Sequence, residues 1–366
     1  MFSRDQILNA LGNVFHPEKK KDIVTLGMVN DIESDENGVT ITLVPDRSTD
    51  PFISSIKSSV TKVLKEELGP DFVIKEIKVQ PKIVVVKEVG KADNPLPGVK
   101  NIIAVSSGKG GVGKTTIAVN LAVTLARKGY KVGLLDADIF GPSVPIMLDA
   151  KDYKPEVKKL NNSDRIIPLI KYGVKVLSIG FFVDPADAVV WRGPMASSFL
   201  KQLITQGDWG TLDFLLVDLP PGTSDIHLTL IQEVSVTGAI VISTPQDVAL
   251  ADAVKGIAMF RSEKIDVPVL GLVENMSWFT PAELPGKKYY IFGKDGCKML
   301  AKKMDVPLLG QIPLVQSIRE GSDKGNPVAL DDNVSGEAFM LLAENLVKKV
   351  NERNSSQKPT ERLRIS

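Results

Sequence analysis

The chain has 366 residues, more than one ordinary domain needs, and 43% of them are apolar, enough for a sizeable core. Its 45 basic and 44 acidic side chains leave a net charge of +1, so composition gives no sign of a nucleic-acid-binding protein. A single cysteine, Cys297, excludes an intramolecular disulfide framework, and two histidines far apart, His16 and His227, exclude the usual zinc spacings.

Residues 1–80 read as a small α+β unit. "RDQILNALGNVF" has helical apolar spacing, and "DIVTLGMVNDIESDENGVTITLVP" reads as two strands joined at Asn37-Gly38. "PFISSIKSSVTKVLKEEL" is amphipathic at helical period, and "FVIKEIKVQ" reads as a closing strand. Residues 81–99 carry Pro81, Gly90, Pro95, Pro97 and Gly98 and read as a linker. The opening residues lack a signal-peptide layout, and no apolar run reaches the length of a membrane span. The expectation is a cytoplasmic protein with neither nucleic-acid nor membrane partners.

From Ile102 short apolar runs alternate with helical segments: "IIAVSS", "KVGLLDAD", "VKVLSIGF", "DFLLVDLP", "GAIVIST", "PVLGLVEN" and "VPLLGQIP". Continuous Val/Ile/Leu runs suit strands covered on both faces, so the expected fold is α/β, a mostly parallel sheet flanked by helices, over residues 100–353. "SGEAFMLLAENLVKKVNER" reads as a core-packing helix, and 354–366 as a flexible tail.

"GKGGVGKT", Gly108 to Thr115, matches the phosphate-loop pattern G-x-x-x-x-G-K-[ST], between an expected strand and an expected helix. Gly108, Gly110, Gly111 and Gly113, with Val112 among them, let backbone N–H groups converge on phosphate oxygens. Lys114 is expected on the β- and γ-phosphates of ATP, Thr115 on Mg²⁺ and Thr116 on the α-phosphate. Two strand-ending aspartates offer an acidic partner: Asp136 in "LLDADIFGPS" and Asp218 in "FLLVDLPPG". Asp218 is expected to hold a Mg²⁺ water, Gly222 to meet the γ-phosphate and Asp138 to orient or deprotonate the attacking water. Capping a helix is the lesser alternative for each aspartate.

Lys109 needs separate treatment. An early lysine on a tight loop can be a solvated surface residue. However, "KGGVGKT" resembles the variant phosphate loop of the MinD/ParA-type ATPases, and that resemblance implies that Lys109 crosses the nucleotide site of a homodimer to touch phosphate in the other subunit. "LLDADIFGPSVP", "WRGPMA", "DFLLVDLPPGTSDIHLTL", "TPQDVALADAVKGIAMF" and "GLVENMSWF" are similar to the Mrp branch, the iron–sulfur cluster carrier ATPases, over about residues 100–350. Residues 1–80 resemble the MIP-type domain often fused ahead of it. The resemblance implies slow ATP hydrolysis, Asn275 against adenine, and iron–sulfur client or assembly proteins as partners. Two other roles stay open: a MinD/ParA-like positioning ATPase and a nucleotide-gated adaptor without a cluster. Loop capping remains an alternative for Asn275.

The chain departs from the Mrp pattern at one point. The C-x-x-C that usually follows "ENMS" is absent, and Thr280, Pro281, Ala282 and Glu283 stand about there. Asp50 stands where the N-terminal domain often carries a cysteine. Four thiolates would hold a [4Fe–4S] cluster, but a dimer of this chain has two, both Cys297. The expectation is an inert Cys297 at a helix start and at most a labile or shared cluster.

Overall fold

The computed structural model describes residues 3–35, 38–45, 52–79, 94–139, 141–160, 163–182, 193–281, 283–284 and 286–363. The chain forms two compact units, one within residues 1–87 and one within 88–363. Asn37, Asp50, Ala282 and most of the expected linker lie outside the described residues.

In the first unit, helix α1 (Arg4–Leu11) is followed by strands β1 (Val29–Asp35) and β2 (Gly38–Leu43), helix α2 (Ile53–Leu68) and strand β3 (Ile74–Val79). Ser3 caps α1: its hydroxyl accepts from Gln6 N, and the Gln6 side chain returns to Ser3 N. The sheet order is β1-β2-β3, antiparallel then parallel. Ile7 and Leu11 of α1 and Ile56, Val60 and Leu64 of α2 are spaced four apart, and they bury against Ile41 and Leu43 of the sheet.

The second unit runs β4 (Val99–Ser107), α3 (Lys114–Arg127), β5 (Val132–Asp136), α4 (Val144–Met147), β6 (Val157–Leu160), β7 (Ser163–Ile166), β8 (Leu169–Lys171), β9 (Val174–Ser178), α5 (Gly193–Gln206), β10 (Leu212–Asp218), α6 (Asp225–Glu233), β11 (Gly238–Ser243), α7 (Asp247–Arg261), β12 (Val269–Glu274), α8 (Gly296–Met304), β13 (Leu308–Gln311), α9 (Gln316–Lys324) and α10 (Val334–Ser356). Eight strands form one sheet in the order β13-β12-β11-β4-β10-β5-β9-β8, parallel except for β8. The seven parallel strands are those expected from the apolar runs. Successive residues point to opposite faces. Thus Ile240 and Ile242 of β11 enter the cluster beneath α3 and α10, while Ala239 and Val241 face the side of α5–α8.

Two expectations change. The β6–β7 hairpin and the antiparallel β8 were not expected, because they are short, partly exposed and interrupted by lysine. Residues 354–363 were expected to be a flexible tail, yet they pack on the domain. Leu363 is buried and its N–H donates to Ile231 O, Arg362 Nε donates to Gln232 O, and Arg353 Nη2 reaches Lys358 O and Thr360 Oγ1.

Candidate functional site

β4, β10 and β5 are neighbours, in register with Asp218 beside Val105 on one side and Asp136 on the other. Their C-terminal ends therefore bring three loops to one place, the position where open parallel sheets receive ligands. The loop after β4 turns at Gly111 (φ 80°) and Gly113 (φ 81°), backbone that side chains rarely adopt. Gly108 is required for another reason. A Cβ there would stand 2.1 Å from the Asp252 carbonyl carbon, so α7 approaches the loop too closely for any side chain.

Lys114 opens α3 and is only 6% exposed. Its Nζ lies 2.7 Å from Asp218 Oδ1 and 3.6 Å from Asp138 Oδ2. The other oxygen of Asp218 accepts from Thr115 Oγ1 at 2.7 Å. One carboxylate thus holds the lysine and the hydroxyl together at the positive end of a helix. Burial raises the Asp218 carboxyl, against Lys114 and Thr115, which pull it down. Thr116 follows half-buried on the same turn, and Lys109 is exposed, its carbonyl accepting from Ser107 Oγ.

Two residues expected at phosphate or base make other hydrogen bonds in this arrangement. The Gly222 N–H donates to Ser107 O at 2.8 Å. The Asn275 amide lies on the loop, donating from Nδ2 to Val112 O at 2.8 Å, so its observed role is bracing. Both hydrogen bonds have one physical cause: a buried N–H takes the nearest carbonyl. A Cβ on Gly113 would meet Asn275 Nδ2 at 2.2 Å, so the glycine and the brace require each other.

Asp136 is more deeply engaged than the sequence suggested. It is fully buried and accepts from Asp138 N, Val144 N and Ser178 Oγ, which pins the loop carrying Asp138. Burial pushes its carboxyl far above the usual carboxylate range, and the Asp218 charge adds to that. The D-x-D spacing at a strand end was the available signal. His227 was missed. Its Nδ1 accepts from Ser224 N, so Nε2 carries the proton and donates to Ser106 Oγ at 3.4 Å, linking α6 to the strand that leads into the loop. Burial lowers its pKa to about 4.

Glu274 was missed as well. It is buried at the end of β12, where Oε2 accepts from Cys297 N and Oε1 from Gln311 Nε2. Cys297 is fully buried, and burial with the Glu274 charge pushes its thiol up to about 12. That chemistry is inert and does not fit a metal or cluster ligand. Among the described residues no group of three or more His, Cys, Asp or Glu side chains could hold a metal.

The sequence profile described as NUBPL iron-transfer P-loop NTPase matches residues 98–350, the whole of the sheet and its phosphate loop. The chain belongs to the NUBPL iron-transfer P-loop NTPase family. An "Iron-sulfur cluster assembly protein" profile matches residues 4–79 of this P-loop NTPase. It is 42% identical over 352 residues to an iron-sulfur cluster carrier protein of Synechocystis, covering 96% of this chain and 98% of that one. It is 49% identical over 258 residues to the iron-sulfur cluster transfer protein NUBPL of Dictyostelium discoideum, covering 70% and 78%. Among solved structures it is similar to a nucleotide-binding protein from Archaeoglobus fulgidus in complex with ADP, with a TM-score of 0.57, 36% identity, and 67% and 94% of the two chains covered. It is also similar to the septum site-determining protein MinD from Pyrococcus horikoshii complexed with Mg-ADP, with a TM-score of 0.52, 26% identity, and 69% and 98% covered. The NTPase has a P-loop NTPase fold, and among its described residues no helix is long and apolar enough to cross a membrane.

Proposed function

We propose that the protein is a Mg²⁺-dependent ATPase that dimerises on nucleotide and serves the maturation of iron–sulfur proteins. The observation that carries this is the single Asp218 carboxylate joining Lys114 Nζ and Thr115 Oγ1, each at 2.7 Å. Lys114 would exchange Asp218 for phosphate, while Thr115 and Asp218 would hold Mg²⁺, which neutralises charge between the phosphates. Asp138, anchored through Asp136 and 3.6 Å from Lys114, would orient or deprotonate water. Water then adds to the γ-phosphorus as the bond to the bridging oxygen breaks, giving ADP and phosphate. Exposed Lys109 would supply its charge across the dimer. Thr116 would meet the α-phosphate and Asn275 the base, through the part of its amide not engaged by Val112. Gly222 would meet the γ-phosphate only after leaving Ser107.

The relatives' names support iron–sulfur transfer as the task. This chain's only thiol does not fit the ligand role, so any cluster is cargo held chiefly by a partner's ligands or small thiols. The buried Cys297 thereby favours a second reading, a nucleotide-gated adaptor for the same maturation. The test is phosphate release against Mg²⁺ concentration for wild type and Asp218→Asn, with anaerobic reconstitution by iron and sulfide. Mg²⁺-dependent turnover that Asp218→Asn weakens is expected, with no four-iron cluster. Turnover indifferent to Mg²⁺ would sink the ATPase reading. A stable cluster surviving Cys297→Ser would sink the cargo reading.

A further inference from the structure

The segment from Trp278 to Met304 links β12 to β13 through α8, and its side chains are distributed unlike those of the rest of the sheet's edge. Residues 287–303 carry six lysines and one aspartate, a net +5 in a chain whose total is +1. Lys287, Lys288, Lys294, Lys298, Lys302 and Lys303 are all exposed, and none forms an ion pair among the described residues. Between them stand large apolar side chains: Ile291 is 60% exposed, Met299 65%, Tyr289 45% and Tyr290 39%. Scattered exposed apolar residues need no explanation, but four within eleven positions, interleaved in the chain with lysines that form no ion pair among the described residues, mark out a patch.

The patch is held in shape. Phe279 and Tyr289 exchange both backbone hydrogen bonds at 2.8 Å, which closes a hairpin. Lys288 Nζ lies 3.8 Å above the Trp278 ring, and Lys294 Nζ 5.0 Å from the Tyr290 ring. Gly296 packs where a Cβ would stand 2.4 Å from Pro245 O, and Glu274 holds Cys297 N at 2.7 Å, so α8 is fixed at its start. A preformed surface loses little conformational freedom on binding.

We propose that this surface docks an acidic segment of a partner protein, one that alternates carboxylates with apolar side chains. The charge complementarity gives the sign, and Ile291, Met299, Tyr289 and Tyr290 give the apolar half of the match. Other polyanions fit less well. Lysines already cover the Trp278 and Tyr290 faces on which bases of a single-stranded nucleic acid would stack. Helix α8 has nine residues and exposes one apolar side chain, Met299, too little to lie in a membrane interface. The proposal goes beyond the nucleotide reading, and none of its residues belongs to the phosphate site.

The probe is a fluorescein-labelled peptide alternating Glu and Leu, titrated with the full-length protein and read by anisotropy. Wild type is expected to bind it, and Lys298→Glu with Lys302→Glu to weaken binding at least tenfold. Ile291→Ser is expected to weaken it about threefold, and a Glu/Ser peptide to bind worse than Glu/Leu. Charge reversal on α2 of the first unit, Lys62→Glu with Lys65→Glu, is expected to leave binding unchanged. Thermal melts of the variants matching wild type establish that the surface alone was altered. The proposal fails if wild type does not bind. It also fails if the α2 reversal matters as much as the α8 reversal, or if Glu/Ser binds equally well. Tighter binding of oligo-dT, or of phosphatidylserine vesicles, than of the peptide would replace it with one of those ligands.

Discussion

The phosphate loop and the 278–304 segment lie at C-terminal ends of strands in one sheet, yet they invert each other's chemistry. Around the loop, charge is inside: Lys114 and Asp218 are buried and paired, Asp136 is buried beside them and held by its own hydrogen bonds, and the exposed surface is mainly glycine. In the 278–304 segment charge is outside, apolar side chains are exposed with it, and the buried reactive group, Cys297, is silenced. Buried charge is costly and persists only when paired, which suits a site that must fix a few atoms. Exposed lysine beside exposed isoleucine and tyrosine costs little, and suits a surface that must attract and hold something large.

Substitutions at the two places should therefore differ in kind. The largest effect belongs to Lys114→Ala. Loss of the cation leaves the buried Asp218 without its ion-pair partner at 2.7 Å and Asp138 without its neighbour at 3.6 Å, which should lower stability by about 3–5 kcal/mol. Loss of a charge aimed at phosphate should reduce turnover by at least ~10²-fold. Urea unfolding and phosphate release check both, and a well-folded, fully active variant would remove the distinction between the regions.

Next is the buried His227. Its pKa is lowered to about 4 from 6.5, so its stabilising contribution is complete above pH 6.5 and is lost as pH falls toward 4. Asp136 is shifted the other way, so the informative quantity is wild type compared with His227→Gln. Gln can still donate to Ser106 but does not titrate. The stability difference in favour of wild type should shrink by about 3 kcal/mol between pH 7 and pH 4, as judged from a shift of about 2.5 units at 1.36 kcal/mol each. Parallel stability curves would show that the ring is not held neutral.

Lys109→Ala, on the exposed rim of the loop, should change folding by less than about 0.5 kcal/mol. Turnover should fall about tenfold, well below the 10³–10⁵ attributed to an arginine finger. Its rate per molecule should no longer rise with protein concentration. A wild-type rate and concentration dependence would refute a charge acting across a dimer. The smallest effect is expected for Tyr289→Ser, which should alter stability by under about 0.5 kcal/mol and leave turnover intact. A cooperative loss of structure would place that residue in the core logic of the loop instead.

Much of this was legible in the amino-acid sequence where one physical cause dominates. The seven parallel strands could be read because burial on both faces forces continuous Val, Ile and Leu. Lys114 and Thr115 could be read because their spacing from the glycines is fixed by a tight turn leading into a helix. What could not be read depends on distant approach. Asn275 reaches Val112 across 163 positions, and the Gly222 N–H finds Ser107 only once β4 and β10 are paired. The burial of Cys297 likewise depends on Glu274 and Thr244, from another strand end. The docked tail was missed because "SSQKPTERLRIS" is polar by composition. Its attachment includes two hydrogen bonds to the end of α6, two from Arg353 of α10 and one buried leucine.

Glu274 and Asn275 are consecutive, and their side chains serve different masters. Asn275 grips the carbonyl of Val112 inside the phosphate loop, while Glu274 grips the first turn of α8 beneath the lysine-rich surface. One peptide unit is thus a common axle for both regions. Displacing Val112 at one end or tilting α8 at the other loads the same bond, and any free energy transmitted through it must be equal in both directions. Whatever factor nucleotide applies to docking, docking applies to nucleotide.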